Sequence, residues 1–271
     1  MTGTVKVSTL AEREEPTPAG GTVLVTGVTS GIGAALARQL VARGRPVVGL
    51  GRRGERLSAL RDELGTSFRA AVVDVTDREA VAEAVGDLAR DTPVGALVNN
   101  AGISLGLEPF QHADPAHWDR MIDTNIRGVL NATAAVLPGM LASGGGQVVN
   151  VGSIAARYAY QGGNVYGASK AFVHLLSDNL RVDLEGTGIR VSCVAPGMTR
   201  TEFALTRFGG DQARADALYE GLRPLSADDV AAALLFVLDA PPHLNVNYLE
   251  LMPAGQRFGL ALGPARGRTD R

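Results

Sequence analysis

The sequence predicts an α/β domain built on one doubly wound sheet of seven mainly parallel strands, with helices on both faces. Two observations predict it. Short β-branched runs alternate with longer segments whose apolar residues recur at helical spacing. The strand runs are also apolar without interruption, which strands covered on both faces require. Ligands of such sheets bind beyond the carboxyl ends of the strands.

The strands are expected at 22–27, 46–51, 68–75, 95–100, 146–153, 189–196 and 246–251. Helical spacing covers 31–43, 54–64, 77–90, 115–141, 164–185 and 226–239, with Asp77 as N-cap of the third. A length of 271 residues fits one large domain, expected over 21–256. Residues 1–20 mix charge, Pro and Gly without periodicity and read as a flexible extension, as does the basic tail 257–271.

Composition excludes several partners. With 28 acidic against 26 basic residues, no net field points to nucleic acid or an anionic membrane. No apolar run approaches membrane-spanning length, and the N-terminus lacks a signal-peptide core. The single cysteine, Cys193, lies in the apolar run "IRVSCVAP" and is expected to be buried and inert, in a cytoplasmic protein. His112, His117, His174 and His243 have no metal-ligand spacing, so no metal site is expected. Trp118 shares a helical face with Met121 and Ile122 and reads as packing.

The first chemical signal is "TGVTSGIG", where strand one runs into helix one. Gly27, Gly31 and Gly33 let the backbone approach a pyrophosphate, and the helix start offers free N–H groups; Thr29, Ser30 and Ile32 lie in the same turn. In a β-α-β-α series this is a Rossmann-type nucleotide turn. Strand two ends in "GLGRRGER", with Arg52 and Arg53 where NAD-preferring sheets carry an acid. A guanidinium pairs with a ribose 2′-phosphate that a carboxylate would repel, so the expected cofactor is NADP(H). Asp74, followed by Val75, ends strand three and either reaches the adenine or caps the next helix. "LVNNAG" puts Asn99, Ala101 and Gly102 at the tip of strand four, beside the cofactor.

The second signal is "NVYGASK". Tyr166 and Lys170 stand four apart on a helix, about 6 Å along one face. An ammonium beside a phenol favours the phenolate and lowers a pKa ordinarily near 10, which suits general acid–base work. Alone, such a pair is common on helix surfaces. Ser153, just past strand five at the ligand edge, supplies a hydroxyl for a substrate carbonyl.

With these motifs in order, the chain resembles the short-chain dehydrogenase/reductase family. The matching features are "TGVTSGIG", "NNAG", Asn125 in "DTNIRG", Ser153, "YGASK" and "APGMTRTEF". The resemblance implies a tetrad of Asn125, Ser153, Tyr166 and Lys170. Tyr166 would exchange the proton and Ser153 would hold the reacting oxygen. Lys170 would bind the nicotinamide ribose and lower the tyrosine pKa, and Asn125 would anchor a water. Pro196, Gly197, Met198 and Thr199 would border the nicotinamide, with Thr199 or Thr201 near its carboxamide; by its own chemistry Thr201 is a helix N-cap. A homo-oligomer, a tetramer or dimer, is implied in the same way.

Within the family, "MIDTNIRG", "GGNVYGASKAFV", "RFGGD" and "HLNVNYLELMP" resemble NADP-dependent 3-hydroxy acid dehydrogenases acting on serine and L-allo-threonine. Such a substrate needs a cation for its carboxylate, and Arg157, Arg200 and Arg207 are the candidates. The alternatives are a ketoreductase for a bulkier carbonyl, suggested by the 154–161 loop and Arg200, and a non-catalytic NADP-binding sensor or scaffold.

Overall fold

A computed structural model describes residues 21–90 and 93–257. Its seven-stranded sheet has the order β3-β2-β1-β4-β5-β6-β7, and every pairing is parallel. The strands are β1 (Thr22–Thr26), β2 (Val47–Gly51), β3 (Phe68–Val72), β4 (Val94–Asn99), β5 (Gly146–Val151), β6 (Ile189–Pro196) and β7 (Tyr248–Leu251). The order reverses at β1, which pairs with both β2 and β4. That switch point opens a crevice at the carboxyl ends of these strands.

The helices are α1 (Gly31–Ala42), α2 (Gly54–Leu64), α3 (Arg78–Ala89), α4 (Pro115–Ile122), α5 (Gly128–Ala142), α6 (Asn164–Asp183), α7 (Glu202–Arg207), α8 (Gln212–Ala217) and α9 (Ala227–Leu238). Side-chain caps fix several starts. Asp77 accepts from Glu79 N and Ala80 N, as expected, and Ser226 and Asp229 form a reciprocal capping box on α9.

Strand alternation divides the core into two. Val23 and Val25 of β1 pack with Leu36 and Leu40 of α1 and Leu234 and Leu238 of α9. Leu24, between them, faces Val81 of α3, Val136 and Met140 of α5 and Val191. Each fully buried Leu contributes about 1.5–3 kcal/mol, so both faces anchor the sheet whose upper edge carries the site.

Two expectations change. The single helix 115–141 is broken by a π-helical turn at Asp123–Arg127, whose wider turn sets Asn125 inward. Strand three stops at Val72, because Asp74 turns the chain by accepting from Thr76 N and Thr76 Oγ1. The segment after Thr201, whose capping role was expected, folds into α7 and α8 over the crevice. These helices are six residues each, too short for their periodicity to stand out. The expected extensions 1–20 and 257–271 lie outside the described residues, apart from Arg257.

Candidate active site

A cavity of about 360 Å³ lies at the switch point, floored by the strand ends and roofed by α7 and the turn beyond α8. Its nucleotide end is made by backbone. Gly27 (φ 68°) and Gly31 (φ 53°) take left-handed conformations that glycine alone adopts cheaply. A Cβ on Gly27 would lie 2.8 Å from Ala101 Cα. Thr29, Ser30 and Ile32 complete this wall. Ser30 is the N-cap of α1 but makes no side-chain cap, because its hydroxyl accepts from Arg53 Nη2 at 2.6 Å. The first-turn N–H groups of α1 are therefore left for a ligand, and a diphosphate fits their chemistry.

Gly33 stands apart from the wall. It does not line the cavity; it sits inside α1, where a Cβ would meet Gly27 O at 2.5 Å and Asn100 Nδ2 at 2.6 Å. Its absence of a side chain lets the helix close on the turn.

Arg52 and Arg53 both line the cavity, as do Asp74 and Val75. Arg52 faces Asp74 at 3.5 Å. Asp74 is not a helix cap, since Asp77 takes that place. Burial works to raise the Asp74 carboxyl, but hydrogen bonds from Thr76 and the Arg52 charge hold it below the usual carboxylate range. Arg53 donates to Thr29 Oγ1, Ser30 Oγ and Glu202 Oε2.

Asn99 is a correction. It is 3% exposed and points into the core, where Nδ2 donates to Thr133 Oγ1 and Asn150 Oδ1. Its neighbour Asn100 reaches the site instead, with Nδ2 donating to Thr26 O and Gly27 O to hold the glycine turn. The alternation of strand four, read outward from Leu97, carried that signal. Ala101 and Gly102 line the cavity, and so do Pro196, Gly197, Met198, Thr199 and Thr201. Thr201 also caps α7 by accepting from Phe203 N.

At the other end Ser153, Tyr166 and Lys170 share the wall. Asn125 does not line it. It is fully buried, accepting from Ile103 N at 2.8 Å and donating to Ile103 O and Ser169 Oγ. A Cβ on Gly102 would find Asn125 Oδ1 at 3.3 Å and Lys170 Nζ at 3.4 Å, so both groups border that glycine. Lys170 Nζ donates to Val151 O at 2.8 Å.

The electrostatics depart from expectation. Burial pushes the Tyr166 phenol up to about 12, although the Ser153 hydrogen bond and the Arg207 charge pull it down. Burial likewise brings Lys170 down to about 8. The direction is opposite to the expected depression of the tyrosine, because burial disfavours the charged form of each group. Burial therefore favours the protonated phenol at Tyr166.

Of the three arginines proposed for a substrate anion, one reaches the cavity. Arg157 pairs with Glu250 at 3.4 Å and lies over the Tyr158 and Tyr248 rings, away from the wall. Arg200 pairs with Asp216 at 3.2 Å and covers the Tyr219 ring, also outside it. Arg207 lines the cavity, with its guanidinium carbon 5.3 Å from the centre of the Tyr166 ring. It donates to Ser104 Oγ (2.8 and 2.6 Å) and to the Tyr160 hydroxyl at 3.0 Å. Among the described residues its hydrogen-bond partners are hydroxyl oxygens, so its charge is held in place without being neutralised.

Sequence inspection missed Tyr160, Glu202, Phe203 and Tyr219 on the wall. They sit on the loop after Ser153 and on the α7–α8 segment, where no periodicity marks them. Trp118 stacks on Phe110 with ring centres 4.5 Å apart and is a packing residue. Among the described residues no group of three metal-ligating side chains forms, and no helix is long and apolar enough to cross a membrane. Cys193 is a free, buried thiol that burial pushes up to about 11.

The family model described as short chain dehydrogenase matches residues 21–209. The chain is similar to serine 3-dehydrogenase of Rhizobium radiobacter, with 48% identity over 241 residues, 88% of this chain and 96% of that protein. It is 50% identical over 240 residues to sulfoacetaldehyde reductase 2 of Chromohalobacter salexigens, 87% of this chain and 95% of the relative. The solved closed form of serine dehydrogenase complexed with NADP+ matches with a TM-score of 0.86 at 44% identity, covering 91% of this chain and 100% of that one.

Proposed function

The chain belongs to the short-chain dehydrogenase family, and from that premise we propose that it is an NADP(H)-dependent oxidoreductase of small 3-hydroxy acids resembling serine. The observation that carries the substrate class is Arg207, a cation with hydroxyl partners beside Tyr166. A carboxylate two carbons from the reacting carbon would pair with its guanidinium while the oxygen to be reduced or oxidised meets Ser153 and Tyr166.

The residues divide the work. The glycine turn and the start of α1 would receive the diphosphate, and Arg52 and Arg53 a ribose 2′-phosphate. When bound, NADP(H) supplies or accepts the hydride. Ser153 would hold the reacting oxygen by its hydroxyl. Tyr166, protonated well above neutrality, would deliver its proton to that oxygen during reduction, and the alcohol would return it during oxidation. Lys170 would hold the nicotinamide ribose and, while charged, favour the phenolate left after proton delivery. Asn125, beside Gly102 and Lys170, would order the water that refills the proton.

A sulfonate presents the same charge as a carboxylate at the same separation from the carbinol, and the sulfoacetaldehyde reductase relative favours it as a second substrate class. The uncommitted Arg207 charge argues against the bulky, uncharged ketone. We further propose a cytoplasmic homotetramer, supported by the lone buried cysteine and by Phe172, Leu175 and Val182 exposed on α6.

The test is absorbance growth at the NADPH band with L-serine, L-allo-threonine, 3-hydroxybutyrate and isethionate, each with NADP+ and NAD+. Turnover of the carboxylates with NADP+ is expected. Preference for uncharged alcohols would defeat the substrate assignment, and preference for isethionate would select the sulfonate class.

A further inference from the structure

Glu202 is the first residue of α7 and, among the described residues, the only carboxylate on the α7 side of the cavity wall. Its side chain reaches the start of α2. Oε2 accepts from Arg53 Nη1 at 2.9 Å, and both oxygens accept from Arg56 Nη1 at 2.7 and 2.8 Å. Arg53 also donates to Thr29 and Ser30 on the glycine turn. Next to Glu202, the Thr201 side chain lies 3.3 Å from where a Cβ on Gly31 would stand. The carboxylate therefore sits on the guanidinium that faces the cofactor turn.

The contact is strong in geometry and open to exchange. The side chains of Arg53, Arg56 and Glu202 are 42%, 46% and 43% exposed, so water and salt reach all three. A phosphate monoester brings close to two negative charges and three acceptor oxygens, against one charge and two oxygens for the carboxylate. The same guanidinium cannot present its full fork to both, and a carboxylate left beside a bound phosphate is a like charge.

We propose that Glu202 sets cofactor selectivity, as a built-in competitor for Arg53 and Arg56 that a ribose 2′-phosphate must displace. The inference rests on the NADP(H) assignment made above. A cofactor with a 2′-hydroxyl displaces nothing and feels the carboxylate little. Glu202 therefore narrows the preference for the phosphorylated cofactor below what the arginines alone would give, and eases its release.

Glu202→Gln keeps the shape and removes the charge, and an exposed side chain there leaves folding intact. Isothermal titration of the protein with NADP+ and with NAD+, at low and moderate salt, reads the effect without turnover. NADP+ is expected to bind roughly threefold to tenfold more tightly to the variant, with the NAD+ constant changed less than about twofold. The gain should shrink as salt screens the pair. Weaker NADP+ binding, or an unchanged ratio of the two constants, would overturn the proposal while leaving the cofactor assignment standing. A wild-type protein that bound NAD+ more tightly than NADP+ would overturn both.

Discussion

The two ends of the cavity are built by different means. At the nucleotide end the parts are consecutive: Gly27 to Ile32 form one turn, and Arg52 and Arg53 follow one strand directly. Much of this wall is backbone, with left-handed glycines and a helix start that has no side-chain cap. At the substrate end Ser153, Tyr166 and Arg207 arrive from the turn after β5, from α6 and from α7, and their side chains meet only because the sheet and the α7–α8 segment bring them together. A local device tolerates changes elsewhere in the fold. A convergent one depends on every element that holds it.

The largest effect that would test this division is Tyr166→Phe. Loss of the proton donor should cut turnover by about 10²–10⁴-fold, while titrated NADP+ affinity stays within about threefold, since its phosphate contacts lie at the other end. Comparable losses in both would show that the ends are one unit. Next in size is Arg207→Leu. Removing a charge-assisted pair should raise KM for a 3-hydroxy acid about 10- to 100-fold, with an uncharged alcohol of similar size little affected. An equal loss for both would make Arg207 a packing residue for Ser104 and Tyr160 instead of an anion site.

The pH profile probes the substrate end more gently. Burial lowers Lys170 to about 8 and raises Tyr166 to about 12. The ammonium is therefore present below pH 8 and lost as pH rises through it, whereas the phenol keeps its proton across that range. Carbonyl reduction at saturating cofactor should fall by about tenfold per pH unit once past Lys170. A rate that held flat to pH 10 would remove the lysine charge from the mechanism.

How much of this was legible follows the same split. The glycine turn, the paired arginines and the Tyr166–Lys170 spacing are short-range patterns, and the strand and helix alternation around them predicts the sheet that orients them. Asn99 was misplaced by a single step: the residue type suited the site, but the strand period turned its side chain inward. The Tyr166 pKa ran opposite to expectation because spacing reveals a neighbour but not the burial of both partners. Glu202 and Tyr160 were invisible, since nothing in a six-residue helix or an irregular loop records what lies across a cleft.

The smallest expected effect is the most demanding check on the substrate end, because sequence alone ranks Arg157, Arg200 and Arg207 equally. Arg157 is committed to Glu250 and two tyrosine rings, and Arg200 to Asp216 and the Tyr219 ring. Exposed pairs of this kind contribute little and lie outside the cavity wall, so Arg157→Ala and Arg200→Ala should each change KM for a 3-hydroxy acid by less than about twofold. Arg200 is the stricter of the two. Its stacking on Tyr219, whose hydroxyl donates to Thr199 O, connects it to the cavity wall through one intermediary. A rise in KM confined to charged substrates would place its guanidinium at the anion, whereas an equal change for uncharged alcohols would trace to the wall it supports.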